Sequence, residues 1–483
     1  MKRFFIPLLG GTAVVLAGCT MAPKYEQPAA PVPAQWPTGP AYGETATDGT
    51  NVASIPDLRW QEFFTDAGLQ QAIGTALTNN RDLRTAALNV ERARAVYGIL
   101  RAELFPTVDV TGSGVRQRVP ADLSSTGSRQ TLEQYGVNLG VASWEIDFFG
   151  RIRSLKDRAL QEYFATEHAR RSAQILLISS VANAWLALAA DRESLDLAKT
   201  TLQSQQDAYD LIKKRYDLGL IPELDLHRAQ TQVDTARGDV ARFSQVVAQD
   251  ENALNLLLGT TQAGEALPGT LAEVHPPQPI EAGLSSEVLL RRPDVLRAEN
   301  LLKAAYADIG AARAAFFPRI SLTAAIGTAS EDLSGLFKSG SGTWSYAPQI
   351  VMPIFDARTW SAHKASKVQR EIAVSEYERS IQVAFREVAD ALAVRGTVDQ
   401  QVSAQESLVN AVSATYRLAM SRYDKGIDSY LGVLDAQRSL YAAQQGLVSL
   451  RLAKLANQVQ LYGVLGGGWV AEDSRPQTAQ ARR

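Results

Sequence analysis

The feature that most constrains this chain is a pair of very long stretches that can only be helical rods. No proline interrupts Ile152 to Leu218, and none interrupts Arg358 to Lys425. Apolar residues recur in both stretches every seven positions. The first has Val181, Leu188, Leu195, Leu202 and Tyr209; the second has Val374, Ile381, Val388, Val402, Val409 and Tyr416, with Arg395 standing in the same row. A seven-residue repeat fits a 3.5-residue period better than 3.6, so such helices supercoil left-handedly around neighbours. At 1.5 Å per residue, roughly 67 helical residues extend about 100 Å. A compact globule has no room for such a rod, so the rods must lie side by side.

The rods belong to an internal duplication. Arg101-Ala102-Glu103-Leu104-Phe105-Pro106 returns as Arg313-Ala314-Ala315-Phe316-Phe317-Pro318, and Arg215-Tyr216-Asp217-Leu218-Gly219 returns as Arg422-Tyr423-Asp424-Lys425-Gly426. The shorter helices that follow also share a register: Leu226, Val233, Val240, Val247 and Leu254 in one copy, and Val433, Leu440, Leu447, Lys454 and Leu461 in the other. Gly219 and Gly426 sit where a helix C-terminus needs left-handed backbone, and Pro222 suits the start of a following helix. Both sites therefore read as tips of helical hairpins. Upstream of each rod lie two runs that alternate at period two. These are Phe105–Val119 and Gln134–Phe149 in the first copy, and the runs around Ile320–Ile326 and Tyr346–Val351 in the second. Alternation of this kind marks half-buried strands. Aromatic residues gather at the strand ends, among them Trp144, Phe149, Trp344 and Phe355. They match the girdle of a membrane barrel, although strand-end aromatics also fill soluble cores. Each copy thus reads helix, strand, strand, long helix, helix, and a duplication of this kind suits pseudo-symmetric rings and barrels. Four strands cannot close a barrel, and open edges are not tolerated in lipid, so strands must be shared between chains.

The N-terminus reads as an address. Met1-Lys2-Arg3 precedes a short apolar stretch that ends in Leu16-Ala17-Gly18-Cys19, and Cys19 is the one cysteine of the chain. The stretch is too short to span a bilayer and has the form of a cleaved secretory signal. A Pro/Ala-rich run follows, with no helical period, and reads as extended polypeptide. One cysteine and four histidines exclude a disulfide scaffold and argue against a zinc site. With 49 basic against 51 acidic side chains there is no basic excess to favour nucleic acid. Gly466-Gly467-Gly468 is not followed by Lys-Ser/Thr and is no phosphate loop. No constellation suggests an enzyme, a metal site or a cofactor.

Leu16–Cys19 resembles a bacterial lipobox. Together with the duplicated Phe-Pro joints, the Arg-Tyr-Asp-x-Gly tips and Leu434-Asp435-Ala436-Gln437-Arg438, it makes the chain similar to the TolC outer-membrane-factor family, and within it to OprM-type efflux lipoproteins. The resemblance implies a mainly helical fold with a membrane β-barrel. It implies a homotrimer with a twelve-stranded barrel in the outer membrane and an α-helical barrel in the periplasm. Residues 1–18 would be the signal peptide and 19–56 an extended segment lipidated at Cys19, with palmitate among its acyl chains. Equatorial and α-barrel helices would occupy 57–104, with barrel hairpins at 105–150 and 317–357. Long helical hairpins would occupy 151–259 and 358–465. An equatorial segment at 260–291, a second-copy helix at 292–316 and a tail at 466–483 complete the chain. Thr20 follows the cysteine, where an Asp would signal inner-membrane retention, so outer-membrane sorting is expected.

By resemblance, the function is that of a passive exit duct, fed by a periplasmic adaptor and an inner-membrane RND transporter and surrounded by outer-membrane lipid. The matching gate positions are Leu431, as an apolar ring, and Asp435, as an acidic ring, with Arg438 placed to brace Asp435 as an i,i+3 pair. Gly432 stands where related ducts resemble a second acidic ring. The matching closing network is Asp225 with Arg422 and Tyr423 of a neighbouring hairpin, and the tips at Gly219 and Gly426 would dock the adaptor. The same duct fold also serves type I protein secretion and metal-ion efflux. A monomeric coiled-coil adaptor is the remaining alternative and would lack membrane strands.

Overall fold

The rods are helical over their whole length in the computed structural model, which describes residues 20–42, 58–261, 267–278 and 285–467. In chain order the helices before the first strands are α1 (Trp60–Phe63), α2 (Ala67–Asn79) and α3 (Arg81–Ala102). Strands β1 (Val108–Val119) and β2 (Gln130–Ile146) lead into helices α4 (Arg151–Asp217) and α5 (Glu223–Leu258). The second copy repeats the order as α6 (Pro293–Ala314), β3 (Arg319–Ser330), β4 (Gly342–Val351), α7 (Ala357–Asp424) and α8 (Tyr430–Val464). The expected helix–strand–strand–long helix–helix unit is therefore present twice. Helices α4 and α7 contain 67 and 68 residues.

The described residues fall into two compact units. The first joins the N-terminal residues up to Ala29 with Asn89–Thr166 and Arg297–Tyr377. Its centre is one antiparallel sheet in the order β1-β2-β3-β4, so β1 and β4 are open edges. Residues directly opposite one another share a face of a sheet. The register sets Ile350, Pro348, Tyr346 and Trp344 of β4 against Ile320, Leu322, Ala324 and Ile326 of β3. It sets those in turn against Ile146, Trp144, Val141 and Leu139 of β2, and Val141 and Leu139 against Val108 and Val110 of β1. One face of the sheet is thus apolar through all four strands. The opposite row holds Gln349, Ser345 and Thr343, then Ser321 and Thr323, then Glu145, Gly140 and Asn138, then Asp109, Thr111 and Ser113. Many side chains of the apolar row are bare in the single chain, including Val110 at 70% and Trp344 at 81% exposure.

The register holds because β2 contains a bulge between Val141 and Trp144. Ser143 takes φ 55°, the left-handed region, and its N–H donates to Thr323 Oγ1 at 3.1 Å. Were these same residues paired without a bulge, Trp144 and Ile146 would fall on the polar face. In the same unit the extended residues 20–29 lie on α6 and the start of α7. Tyr25 donates to Glu299 at 3.0 Å, and Gln27 donates to the Tyr377 hydroxyl at 3.1 Å.

The second unit comprises Ala30–Leu88, Glu167–Leu296 and the chain from Glu378 onward. It contains both hairpin tips and the joints that hold the helices at their other ends. Arg292, 8% exposed, holds Asp294 and Glu387 at 2.7 and 2.8 Å and donates to the carbonyl of Val464 at 2.7 Å. Phe63 stacks on Tyr462 at 4.1 Å, and the Tyr462 hydroxyl donates to the Leu58 carbonyl. Asn80 donates to the carbonyl of Leu257, tying α2 to the end of α5. Val181, Leu188, Ile381, Val388, Leu254 and Leu461 of the seven-residue rows are buried, whereas Leu195, Leu202, Val402 and Val409 are only half-buried within one chain.

Candidate functional site at the hairpin tips

Both tips are built by the same backbone device. Gly219 and Gly426 have φ of 72° and 73°. Leu220 N donates to Arg215 O and Gly219 N to Tyr216 O, at 3.0 and 2.7 Å; Ile427 N donates to Arg422 O and Gly426 N to Tyr423 O, both at 2.9 Å. These paired bonds form the Schellman closure of a helix, which satisfies its last carbonyls. Pro222 takes the N-cap of α5, one position before the first helical residue, and Ser429 takes that of α8.

The two tips pack on one another. Ile212, Ala229, Tyr430, Val433 and Leu434 form a buried cluster flanked by Tyr209, Leu226, Tyr416 and Tyr423. The Tyr423 and Tyr430 rings lie 5.1 Å apart, and the Arg215 guanidinium stands 5.2 Å from the centroid of Tyr423. Burial, with Tyr416 and Tyr423 adding to it, pushes the Tyr430 hydroxyl up to about 12. That hydroxyl has no hydrogen-bond partner among the described residues. Tyr430, Gln232 and Asp428 were not singled out from the sequence; an aromatic at the first position of α8, against Glu223 at the aligned position of α5, is the signal that could have flagged Tyr430.

Helix α8 turns Val433, Leu434, Ala436 and Gln437 inward and leaves Leu431, Asp435 and Arg438 on the exposed stripe. The expected Arg438–Asp435 pair is not formed. Arg438 Nε instead donates to Gln232 Oε1 at 3.2 Å, because buried Gln232 on α5 presents an acceptor beside it. Asp435 consequently has no cationic partner among the described residues. The i,i+3 pair forms in the other copy, where Arg228 Nη1 meets Asp225 Oδ1 at 3.4 Å. Asp225 and Arg228 align with Gly432 and Asp435, so one tip carries a paired acid and the other a bare one.

The expected network of Asp225 with Arg422 and Tyr423 is also absent within the chain. Arg422 grips Asp428 across the turn, at 2.5 and 3.0 Å, which raises the guanidinium and holds the Asp428 carboxyl below the usual carboxylate range. Closing a six-residue span orders less chain than reaching another hairpin, so the local partner wins. Tyr423 is engaged by Tyr430 and Arg215, as above. Of the girdle residues, Trp344 and Phe355 are 81% and 89% exposed, Trp144 is half-buried, and Phe149 stacks on Phe317 at 4.9 Å. Cys19 lies outside the described residues, as do residues 1–18 and most of the tail from Gly468. Among the described residues no three His, Cys, Asp or Glu come together as metal ligands would.

With this geometry in place, comparison with known proteins is decisive. The family described as outer membrane efflux protein matches residues 72–260 and 284–467, which are the two copies of the duplication. The chain belongs to this family. A relative named toluene efflux pump outer membrane protein TtgC, from Pseudomonas putida, is 48% identical over 476 residues, covering 98% of this chain and 97% of its own length. A crystal structure of a membrane protein from Pseudomonas aeruginosa is 40% identical with a TM-score of 0.87, over 93% of this chain and 98% of that one. The open state of the Neisseria gonorrhoeae MtrE outer membrane channel is 38% identical with a TM-score of 0.82, covering 93% and 98%. This outer membrane efflux protein therefore has the duplicated fold of the outer-membrane-factor channels, and its place is the outer membrane.

Proposed function

We propose that the chain is the exit duct of a tripartite pump for drugs and organic solvents. Three copies would share their strands in one twelve-stranded barrel and their rods in one helical tube. The observation that carries this reading is the sheet: one face is apolar across all four strands in register, the other is polar, and both edges are open. Lipid satisfies the first face and water the second, and only another copy can satisfy the edges. The half-buried middle of each seven-residue row is likewise what a rod shows before further rods pack on it. Cys19 would carry the lipid anchor. Substrates would arrive through a periplasmic adaptor and an inner-membrane RND transporter, and the duct would perform no chemistry. The relative named as a toluene efflux protein supports this cargo class.

The gate of the duct is assigned to the tips. Leu431 and Asp435 form an exposed stripe with an uncompensated carboxylate, so three copies around an axis would give an apolar ring and an acidic ring. In the closed assembly Arg422 and Tyr423 would meet Asp225 of the adjoining chain, and Arg422 would have to divide its donors between that partner and Asp428. Adaptor docking at Gly219 and Gly426 would release the contact. Trimers carrying Asp225→Ala with Tyr423→Phe should conduct more in planar bilayers; unchanged conductance would sink the gate assignment. The duct itself is tested by deleting the gene and measuring susceptibility to toluene, dyes and antibiotics. Sensitisation restored by the wild-type gene is expected, whereas loss of a secreted protein with unchanged susceptibility would indicate type I secretion instead.

A further inference from the structure

The tips do not account for a second concentration of charge, in the sheet-bearing unit where helices and strands join. There Glu145, 16% exposed at its side chain, accepts from Arg151 Nε and Nη2 at 2.9 and 2.8 Å and forms an ion pair with Arg319, whose Nε lies 3.1 Å away. Asp147 is taken by Arg153 at 3.1 Å, and Asp356 by Arg358 at 3.0 Å. Four guanidiniums thus share three carboxylates, and the surplus falls on Arg319. Its side chain is 60% exposed and commits one of its five donors to a carboxylate that Arg151 already grips twice.

Arg319 stands at a concave site of about 680 Å³ lined by charged and apolar groups together. Its walls include Arg319, Ser321 and Gln349 from the polar row of the sheet, and Phe149 and Phe317 as a stacked pair. An aromatic surface beside a guanidinium with free donors matches a molecule with an apolar body and one carboxylate or sulfonate. A cationic solute finds the acids already neutralised, and a neutral solvent finds only the aromatic wall.

We infer that this cleft is a binding station on the inner wall of the duct for amphipathic anions, held through Arg319. The inference rests on the duct reading, which makes the polar row the wall of the channel. Three copies would place three such stations around the neck, where each anion pauses between the helical tube and the barrel. A duct otherwise indifferent to its cargo would then retain anions longest at this level and conduct anions more readily than its acidic tips alone would allow.

The test compares Arg319→Gln and Arg319→Lys with wild type in cells that lack their own duct. Survival is measured with taurocholate as the anion and ethidium as the cation, and the reversal potential of purified trimers is measured across a KCl gradient. Loss of one charge-assisted contact should lower taurocholate tolerance relative to ethidium by roughly three- to tenfold. Arg319→Gln should also move the reversal potential toward cation selectivity, and Arg319→Lys should restore both. Equal loss of both tolerances, or no change in either ratio or potential, would overturn the station. Wild type that confers no tolerance to either compound would instead refute the duct reading, and the reversal potential would still decide the role of Arg319.

Discussion

At the scale of single residues, the tips show how one buried group can be fixed by packing alone. Tyr430 contributes a ring to the cluster with Val433, Leu434 and Ile212, while its hydroxyl is buried without a hydrogen-bond partner among the described residues. Removing only the hydroxyl relieves an unsatisfied donor, so Tyr430→Phe should change stability by within about 1 kcal/mol, in the stabilising direction. Removing the ring leaves a cavity, and Tyr430→Ala should cost roughly 3–5 kcal/mol. Amide exchange in the first turns of α8 separates the two outcomes; equal protection in both variants would mean the ring does not hold the tip. The same burial sets a pH window. The phenol is raised from 10.0 to about 12, so the folded tip favours the neutral form. That contribution is complete below pH 10 and is lost as pH rises through about 12. In an ultraviolet titration, Tyr430→Phe should remove one late-ionising tyrosine; an unchanged curve up to pH 12 would contradict the burial. At the same tip, nothing in a linear sequence distinguishes Asp428 from Asp225 as the partner of Arg422. The choice depends on the Schellman turn folding residues 422 and 428 together, and this is why the family pattern named one acid and the single chain uses the other.

At the scale of elements, the strands were legible because alternation at period two survives in the sequence, and the rods because a proline-free seven-residue row has no other packed form. Even the bulge leaves a trace. Apolar residues run Tyr135, Val137, Leu139, Val141 and then Trp144, Ile146, Phe148, so the phase slips by one between Val141 and Trp144. What the sequence does not contain is the partner of each strand, since register is settled by contacts between residues far apart in the chain, such as Ser143 with Thr323. Nor does it show that Gln232 will take Arg438 from Asp435, because that depends on which faces of α5 and α8 meet. The bulge makes a sharp prediction. Deleting Ser143 would remove the slip and restore strict alternation, with Val141, Trp144 and Ile146 all still on the apolar face. The proposed trimer should then still assemble in the outer membrane, as read by heat-dependent mobility on native gels. Ser143→Gly keeps the residue count and suits φ 55° better, so it should assemble as wild type does. Failure of the deletion to assemble, where Ser143→Gly does assemble, would show that the bulge is needed for more than keeping the apolar row in phase.

At the scale of the whole molecule, the sheet is an incomplete object: four strands, two bare edges and an apolar face of which Val110, Ile326, Trp344 and Ile350 are all more than half exposed. A hydrophobic face of this extent in one chain requires lipid, and bare edges inside lipid require further strands. Closure by identical copies can take only one form, in which β4 of one chain pairs with β1 of the next. Within one chain these two strands are separated by β2 and β3, and three gaps of about 4.8 Å keep them roughly 14 Å apart. That is twice the Cα separation a disulfide tolerates, about 7 Å. A cysteine in β1 and another in β4 can therefore bridge only between chains. Thr111→Cys should be combined in turn with Thr343→Cys, Ser345→Cys and Ala347→Cys, all on the polar row, to sample the unknown stagger between copies. One combination should give covalent dimers and a closed trimer on a non-reducing denaturing gel, and reduction should return the monomer. Monomer alone from all three combinations, in membranes where the protein is assembled, would mean that the edges are satisfied in some other way and that the chain does not close its barrel with copies of itself.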